Sequence, residues 1–208
     1  MIVMVNYGVG NVFSLASSLS SLGFDSIVSD KKEDIIRADK IILPGVGAFG
    51  DAIEKLNASG LVPTILQEVN KGKPMLGICL GMQLLFEKSY EYGQHQGLGL
   101  IKGEVKDLKS DLQASGFDYK VPEMGWNLLK FHHKSPLFKY IKEGDYVYFV
   151  HSYHAVNCEQ SLIASTEYGI QVTAAVQNKN VYGAQFHPEK SGEVGLNILK
   201  AFCEEGNI

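Results

Sequence analysis

Cysteine, arginine and long apolar runs are scarce in this 208-residue chain, and each scarcity narrows the class of protein. The cysteines Cys79, Cys158 and Cys203 are odd in number and widely spaced, so the sequence predicts neither a disulfide framework nor a Cys-x-x-Cys metal site. No apolar run approaches the ~20 residues of a membrane-spanning helix. The chain opens on the apolar run Ile2–Val5 without a basic segment before it, so we expect a cytoplasmic protein without membrane contact.

Positive charge is limited as well. The net charge is -4 and no basic run occurs, which argues against a nucleic-acid partner. Arg37 is the only arginine. Because phosphate sites often use the guanidinium fork, the chain is poorly equipped to hold a large phosphorylated substrate alone. The length and the 45% hydrophobic fraction suit one domain with a full core, and we predict a single domain over residues 1–208.

The first part of the chain alternates short apolar runs with segments of helical spacing. Glycine-containing turns separate the two kinds of segment, which favours a parallel sheet with helices on both faces. We predict strands over 2–7, 26–28 and 40–43 and one ending at Cys79, with helices over 12–22, 60–71 and 83–87.

After Gly97 the pattern changes to several strand-like runs with less regular helix between them, so we expect additional antiparallel strands there. The fold class predicted is α/β, a doubly wound, mostly parallel central sheet flanked by helices. The polar segment 109–120 is predicted as a loop, and the last helix presents Leu196, Leu199, Phe202 and Cys203 on one face. Strands are predicted over 98–108, 121–131, 146–150, 163–166, 172–176 and 181–186.

A reactive cysteine is indicated by the segment 73–87. An apolar strand ends in Gly77-Ile78-Cys79-Leu80-Gly81 and continues into a helical pattern, which is the nucleophile-elbow arrangement with Cys in the place of Ser. The unpaired amides at the start of the helix would favour a thiolate, and the amide of Leu80 is a candidate oxyanion donor. A buried cysteine that only packs is the alternative, but packing alone needs no glycine on each side.

A base for this cysteine is indicated near the end of the chain. A strand ends in His187-Pro188-Glu189, and residues two apart in an extended segment point the same way. We therefore expect His187 and Glu189 to face one site, with the carboxylate orienting the imidazole, as a Cys nucleophile requires.

Other clusters are weaker candidates. His151 and His154 are three residues apart and would face opposite sides of a strand, which weakens a metal site, so no metal and no cofactor are predicted. Gly8-Val9-Gly10 lacks the third glycine of a dinucleotide fingerprint and is interpreted as a plain strand-to-helix turn. The glycine-dense loop 44–50 follows a predicted parallel strand, where such sheets place their ligands, and its backbone could supply a second oxyanion donor.

Together, the segments 77–83 and 185–189 resemble the class I (triad) glutamine amidotransferases. Pro44-Gly45-Val46-Gly47 stands where most of the class carry Pro-Gly-Gly. Three further segments narrow the resemblance to the glutaminase subunits of imidazole glycerol phosphate synthase. They are residues 6–11, Met124-Gly125-Trp126-Asn127 and Lys190-Ser191.

The resemblance implies residue roles. Cys79 would attack the side-chain amide of L-glutamine, while His187 and Glu189 handle the protons. The oxyanion hole would comprise Leu80 and an amide of Val46 or Gly47, which in this family flips into place when the partner binds. The implied glutamine-binding set is Gly47, Gly81, Gln83, Glu91, His151, Ser152 and Tyr153, and the implied partner-facing set is Asn11, Met124, Trp126 and Lys190.

The resemblance also implies a partner. Ammonia released into water would be protonated and lost, and nothing in the chain looks like an acceptor domain. The implied partner is a separate (β/α)-barrel cyclase subunit, forming a heterodimer that makes imidazole glycerol phosphate and aminoimidazole carboxamide ribotide in histidine biosynthesis. Glu123 departs from the family, in which a His is usual before Met124.

Three other functions remain compatible with the residues. One is a free-standing γ-glutamyl hydrolase, which would be active without a partner. A second is a paralogue that feeds ammonia to a sugar-modifying synthase. The third is a regulatory subunit with a relict elbow, against which the intact Cys79, His187 and Glu189 argue.

Overall fold

The computed structural model describes residues 1–205, and in this range the fold is built on an eight-stranded central sheet. The strand order is β2-β1-β3-β4-β14-β13-β12-β9. The first five strands in this order, from β2 to β14, are parallel to one another. Each of the last three, β13, β12 and β9, pairs antiparallel with the strand before it in the order. The strands of this sheet are β1 (Ile2–Val5), β2 (Ser26–Ser29), β3 (Lys40–Gly45), β4 (Met75–Cys79), β9 (Lys130–Phe131), β12 (Leu162–Tyr168), β13 (Ile170–Asn178) and β14 (Val181–Ala184).

Two smaller sheets and seven helices complete the described part of the chain. A four-stranded sheet has the order β11-β7-β5-β6, and β8 pairs with β10 as a separate antiparallel ribbon. These strands are β5 (Phe86–Ser89), β6 (His95–Gln96), β7 (Ile101–Asp107), β8 (Glu123–Leu128), β10 (Tyr146–His151) and β11 (Tyr153–Val156). The helices are α1 (Val12–Ser21), α2 (Lys32–Arg37), α3 (Phe49–Ala58), α4 (Val62–Asn70), α5 (Leu80–Gln83), α6 (Leu108–Ala114) and α7 (Gly192–Glu204).

Both faces of the central sheet are covered by apolar side chains. Successive residues of β1 alternate between two buried clusters, with Val3 and Val5 in one and Ile2 and Met4 in the other. This alternation follows from the two-residue period of a strand, and a strand buried on both faces has an all-apolar sequence. The predicted fold class is confirmed by this mixed sheet of mostly parallel strands flanked by helices.

One helix prediction and one loop prediction were wrong. The segment 83–87 is not a helix, because α5 ends at Gln83 and Phe86–Ser89 forms strand β5 beside β7. The segment 109–120 is not a plain loop, because it contains most of α6. The Asp107 side chain accepts from the amide of Ser110 at 3.0 Å and so caps this helix, whose apolar residues Leu108 and Leu112 are buried.

The elbow between β4 and α5 depends on a close approach of backbones. A β-carbon added at Gly81 would overlap the carbonyl of Leu43 in β3, and one added at Gly77 would lie 2.6 Å from the Gly81 carbonyl oxygen. Real side chains do not tolerate such contacts with backbone atoms, which cannot swing aside. Glycine at both positions therefore lets the turn pack directly on the sheet.

We predict that Gly81→Ala lowers the free energy of unfolding by about 3 kcal/mol or more, because the added methyl overlaps the Leu43 carbonyl. Urea unfolding of both proteins measures this change. Gly23→Ala is the matched control, since Gly23 has φ +79 but no atom within 4 Å of the added carbon, so only backbone strain of about 1 kcal/mol is expected. Equal losses for the two variants would contradict the packing explanation.

Candidate active site

Cys79 lies at the last position of β4 in a strained backbone conformation. Its φ is 53° and its ψ is -113°, values that cost a non-glycine residue roughly 1–3 kcal/mol. Parallel strands flank β4, with β3 on one side and β14 on the other, so the carboxyl ends of all three strands meet here. The strain directs the thiol to the edge of the sheet, where open α/β sheets bind their ligands.

His187 is the imidazole beside this thiol. It follows β14, lines the same cavity as Cys79, and interacts electrostatically with the thiol. Its Nδ1 lies 2.8 Å from Oε1 of Glu189, which leaves Nε2 for the sulfur. The segment was expected to be extended as far as Glu189, which is wrong, because Pro188–Lys190 forms a 3-10 turn. This turn brings the Glu189 carboxylate back against the His187 ring.

The backbone of His187 is held by the neighbouring ribbon. Its amide donates to the Tyr148 carbonyl at 2.9 Å. The Ser191 hydroxyl donates to the His187 carbonyl at 2.7 Å and accepts from the Tyr148 amide at 2.9 Å. Ser191 is 1% exposed, so these bonds are shielded from water and fix the imidazole relative to β10.

The environment of His187 favours its charged form. Burial opposes the imidazolium, but the contacts with Cys79 and Glu189 together outweigh burial and raise the pKa of His187 to about 9. A proton on His187 between a sulfur and a carboxylate is the charge arrangement that a cysteine nucleophile uses.

Two further groups contact the sulfur. The carbonyl of Val150 lies 3.9 Å from Sγ, and Nε2 of Gln185 lies 3.8 Å from it. Gln185 is fully buried, and its Oε1 accepts from Gln83 Nε2 at 3.0 Å. Neither Val150 nor Gln185 was assigned a role from the sequence. Gln185 was marked only by its place two residues before His187, and no local signal marked Val150.

A cavity of about 320 Å³ opens beside Cys79 and His187. Of the predicted glutamine-binding residues, all but Gly81 line it, and Gly81 instead packs under the elbow against β3. The predicted oxyanion residues also lie on its wall. The lining residues are Val46, Gly47, Cys79, Leu80, Gln83, Glu91, Pro122, Val150, His151, Ser152, Tyr153, His187 and Lys190.

Glu91 places a carboxylate in the wall of this cavity. Its Oε2 accepts from the amide of Phe49, the first residue of α3, at 2.6 Å. Burial raises the pKa of Glu91, and the bond from Phe49 opposes that rise. The Oε2 atom of Glu91 is therefore held at the first residue of α3.

Of the residues predicted to face a partner, Met124 and Trp126 lie on the ribbon of β8 and β10, and Lys190 lies against it. Met124 and Trp126 are 63% and 55% exposed, and the Trp126 ring packs edge-on against Tyr148. The ammonium of Lys190 lies 5.9 Å from the centre of the Tyr148 ring. Asn11 is exposed at the start of α1, where its side chain donates to Ser14.

The sequence profile of the family described as "Glutamine amidotransferase class-I" matches residues 3–205. The chain belongs to this family, and its fold agrees. A crystal structure of a glutamine amidotransferase superposes over 100% of both chains with a TM-score of 0.76 and 18% identity. The structure of PurLQS from Thermotoga maritima superposes with a TM-score of 0.74 and 21% identity, covering 98% of this chain and 97% of that one.

Within the family, the chain is similar to subunits of one enzyme. It is 48% identical over 207 residues to the imidazole glycerol phosphate synthase subunit HisH of Wolinella succinogenes, covering 99% of this chain and 100% of the relative. The HisH subunits of Bacillus licheniformis and Bacillus subtilis are 53% and 49% identical. These alignments cover 97% and 98% of this chain and 95% and 96% of the two relatives. The resemblance found in the sequence motifs is confirmed.

None of the helices within residues 1–205 combines the length and the apolar character needed to cross a membrane.

We predict that His187 makes stability depend on pH. Because its pKa is raised from 6.5 to about 9 in the folded protein, its contribution is complete below pH 6.5 and is lost as the pH rises to about 9. We compare the free energy of unfolding of the unmodified chain with that of His187→Gln. The difference between the two should fall by on the order of 3 kcal/mol as the pH rises across this window. Urea titrations at several pH values measure it, and His133→Gln, at an exposed imidazole, should show no such trend.

Proposed function

We propose that this chain hydrolyses L-glutamine through a thioester on Cys79 and supplies the ammonia to a separate cyclase subunit in histidine biosynthesis. The observation that carries the proposal is one cavity wall that holds both the elbow cysteine and His187, whose ring is itself held by Glu189. The similarity to HisH subunits across nearly the whole chain supports the choice of pathway.

In the first step, the Cys79 sulfur attacks the side-chain amide carbon of glutamine. The thiol proton resides on His187, whose raised pKa suits it to hold a proton at neutral pH. The carbonyl π bond becomes an oxyanion. When the tetrahedral intermediate collapses, the carbon–nitrogen bond breaks and His187 gives its proton to the leaving nitrogen, which departs as ammonia.

In the second step, water hydrolyses the thioester. His187 takes a proton from the water, the resulting hydroxide adds to the thioester carbon, and the carbon–sulfur bond breaks to release glutamate. Glu189 holds Nδ1 throughout, so Nε2 faces the reacting atoms in both steps.

The oxyanion would be stabilised by two backbone amides. Leu80 is the first residue of α5, so its N–H has no partner within the helix and lies on the cavity wall. The second donor is assigned to the segment Val46–Gly47, which also lines the cavity. Gly47 has φ +96 with no atom within 4 Å of a β-carbon position, so the peptide there has space to rotate.

The cavity wall suits the amino-acid end of glutamine. The carboxylate of Glu91, with one oxygen anchored by Phe49, is the acceptor we assign to the α-ammonium group. Gln83 is fixed by bonds to Gln185 and to the Tyr153 carbonyl, both at 3.0 Å. The segment 151–153 forms the remaining wall.

The cyclase subunit, a (β/α)-barrel by the family resemblance, would bind the surface formed by Asn11, Met124, Trp126 and Lys190. Exposed Met and Trp side chains on a regular ribbon are typical anchors of a protein interface. The phosphorylated substrate would lie on that subunit. Arg37, the only arginine of this chain, supports this placement, because its guanidinium pairs with Asp34 at 2.8 Å.

The decisive experiment measures ammonia release from glutamine by the purified chain, alone and with the cyclase and its phosphorylated ligand. A large rise in the complex supports a gated amidotransferase subunit. High activity of the chain alone would instead identify a free-standing hydrolase, and inactivity in both states would reject the pathway.

We predict that Cys79→Ala abolishes glutamine-dependent turnover of the complex, whereas added ammonium salts still support product formation, because only the ammonia source is removed. Product absorbance with either nitrogen source measures the difference. Cys158→Ala is the control, since that thiol is buried against Thr173, and it should retain glutamine-dependent turnover. Glutaminase activity retained by the Cys79 variant would reject the mechanism.

We predict that Trp126→Ala weakens cyclase binding at least about tenfold, because an exposed anchor is lost, while the thermal midpoint changes little. Calorimetric titration with the cyclase gives the Kd. Ile36→Ala, which truncates a 54%-exposed side chain on α2, should leave the Kd unchanged. A Kd that is the same for Trp126→Ala and the unmodified chain would remove Trp126 from the interface.

A further inference from the structure

Glu123 and His151 form a buried acid–base pair that the mechanism above does not use. Their side chains are 4% and 2% exposed, and Oε2 of Glu123 lies 3.1 Å from Nε2 of His151. The two residues are opposite each other in the register of β8 and β10. Neither of these two atoms has a hydrogen-bond partner elsewhere in the described residues 1–205, so each depends on the other.

The other contacts of the pair determine where its protons lie. His151 Nδ1 is 2.9 Å from the carbonyl oxygen of Tyr153, which can only accept, so Nδ1 carries a proton. The Asn127 side chain donates to Oε1 of Glu123 at 3.1 Å. If Nε2 had no proton, its lone pair would face a buried carboxylate oxygen, which is repulsive. The contact is therefore attractive only when one of the two atoms carries a proton.

The position of the ring gives the pair a connection to the cavity. β10 ends at His151 and β11 begins at Tyr153, so Ser152 is the corner where the chain passes from the ribbon to the four-stranded sheet. The His151 ring spans this corner through its bond to the Tyr153 carbonyl. All three residues line the cavity beside Cys79.

We propose that Glu123 is a positioning residue for glutamine binding, which acts by holding the His151 ring and thereby the corner at residues 151–153. Glu123 does not line the cavity, so its effect passes through His151. The inference rests on the proposed function, since it assigns this corner to the binding of glutamine. The chemistry at Cys79 does not involve the pair, so loss of Glu123 should weaken substrate binding more than turnover.

The test compares Glu123→Ala with Glu123→Gln in the complex with the cyclase. The Ala variant leaves Nε2 unpaired, and we expect the KM for glutamine to rise about tenfold while kcat changes less than about threefold. The Gln variant keeps the size of the side chain, and its amide can donate to an unprotonated Nε2, so we expect KM to return to within about threefold of the unmodified protein.

A matched control is available in the same chain. His154 Nε2 lies 2.9 Å from Oδ2 of Asp111 in α6, a second histidine–carboxylate pair whose members do not line the cavity. Asp111→Ala should therefore leave the KM for glutamine unchanged. An equal rise in KM for Asp111→Ala, an unchanged KM for Glu123→Ala, or no rescue by Gln overturns the inference.

Two additions keep the test decisive. Where Glu123→Ala does not fold, Glu123→Met fills the same volume without a polar atom and should show the same rise in KM. Calorimetric titration of glutamine into Cys79→Ala chains, with and without the Glu123 substitution, measures binding without turnover. An unmodified complex that releases no ammonia would reject the proposed function, whereas equal Kd values in the two Cys79→Ala chains would reject this inference alone.

Discussion

The direct contact between the elbow backbone and strand β3 is the constraint on which the site depends. Because Gly81 has no side chain, α5 can lie against the Leu43 carbonyl. Since β4 ends at Cys79 and α5 begins at Leu80, the chain turns at Cys79, whose φ is 53°. The strain of roughly 1–3 kcal/mol is sustained by the surrounding sheet, whose parallel strands fix β4 on both sides. Packing of backbone on backbone therefore sets the direction of the thiol.

The sequence carried the parts of the structure that follow from local rules. The alternation of apolar runs with segments of helical spacing predicted the mostly parallel sheet. The glycines on each side of Cys79 predicted the elbow. The sequence also paired His187 with Glu189, but through an extended segment, whereas the Pro188 turn joins them. The position of Val150 could not be predicted, since its carbonyl reaches the sulfur only after β10 has folded beside His187.

The wrong local predictions have physical causes. The apolar residues 84–86 suit a helix, but Gly97, Leu98 and Leu100 donate to carbonyls of residues 84–87 and draw the chain into a strand. Helix α6 was missed because its surface is polar over most of its length. Its cap at Asp107 and the buried Leu108 and Leu112 are helix signals in the sequence, and they outweigh composition.

The ribbon of β8 and β10 connects the exposed surface with the site through strand geometry alone. Side chains alternate along a strand, so Met124 and Trp126 face outward while Glu123 and Phe149 are buried. The backbone of the same ribbon carries the Val150 carbonyl that contacts Cys79 and the Tyr148 carbonyl that holds the amide of His187. A protein bound to the outward face would therefore contact the same ribbon whose backbone touches the Cys79 sulfur and the backbone amide of His187.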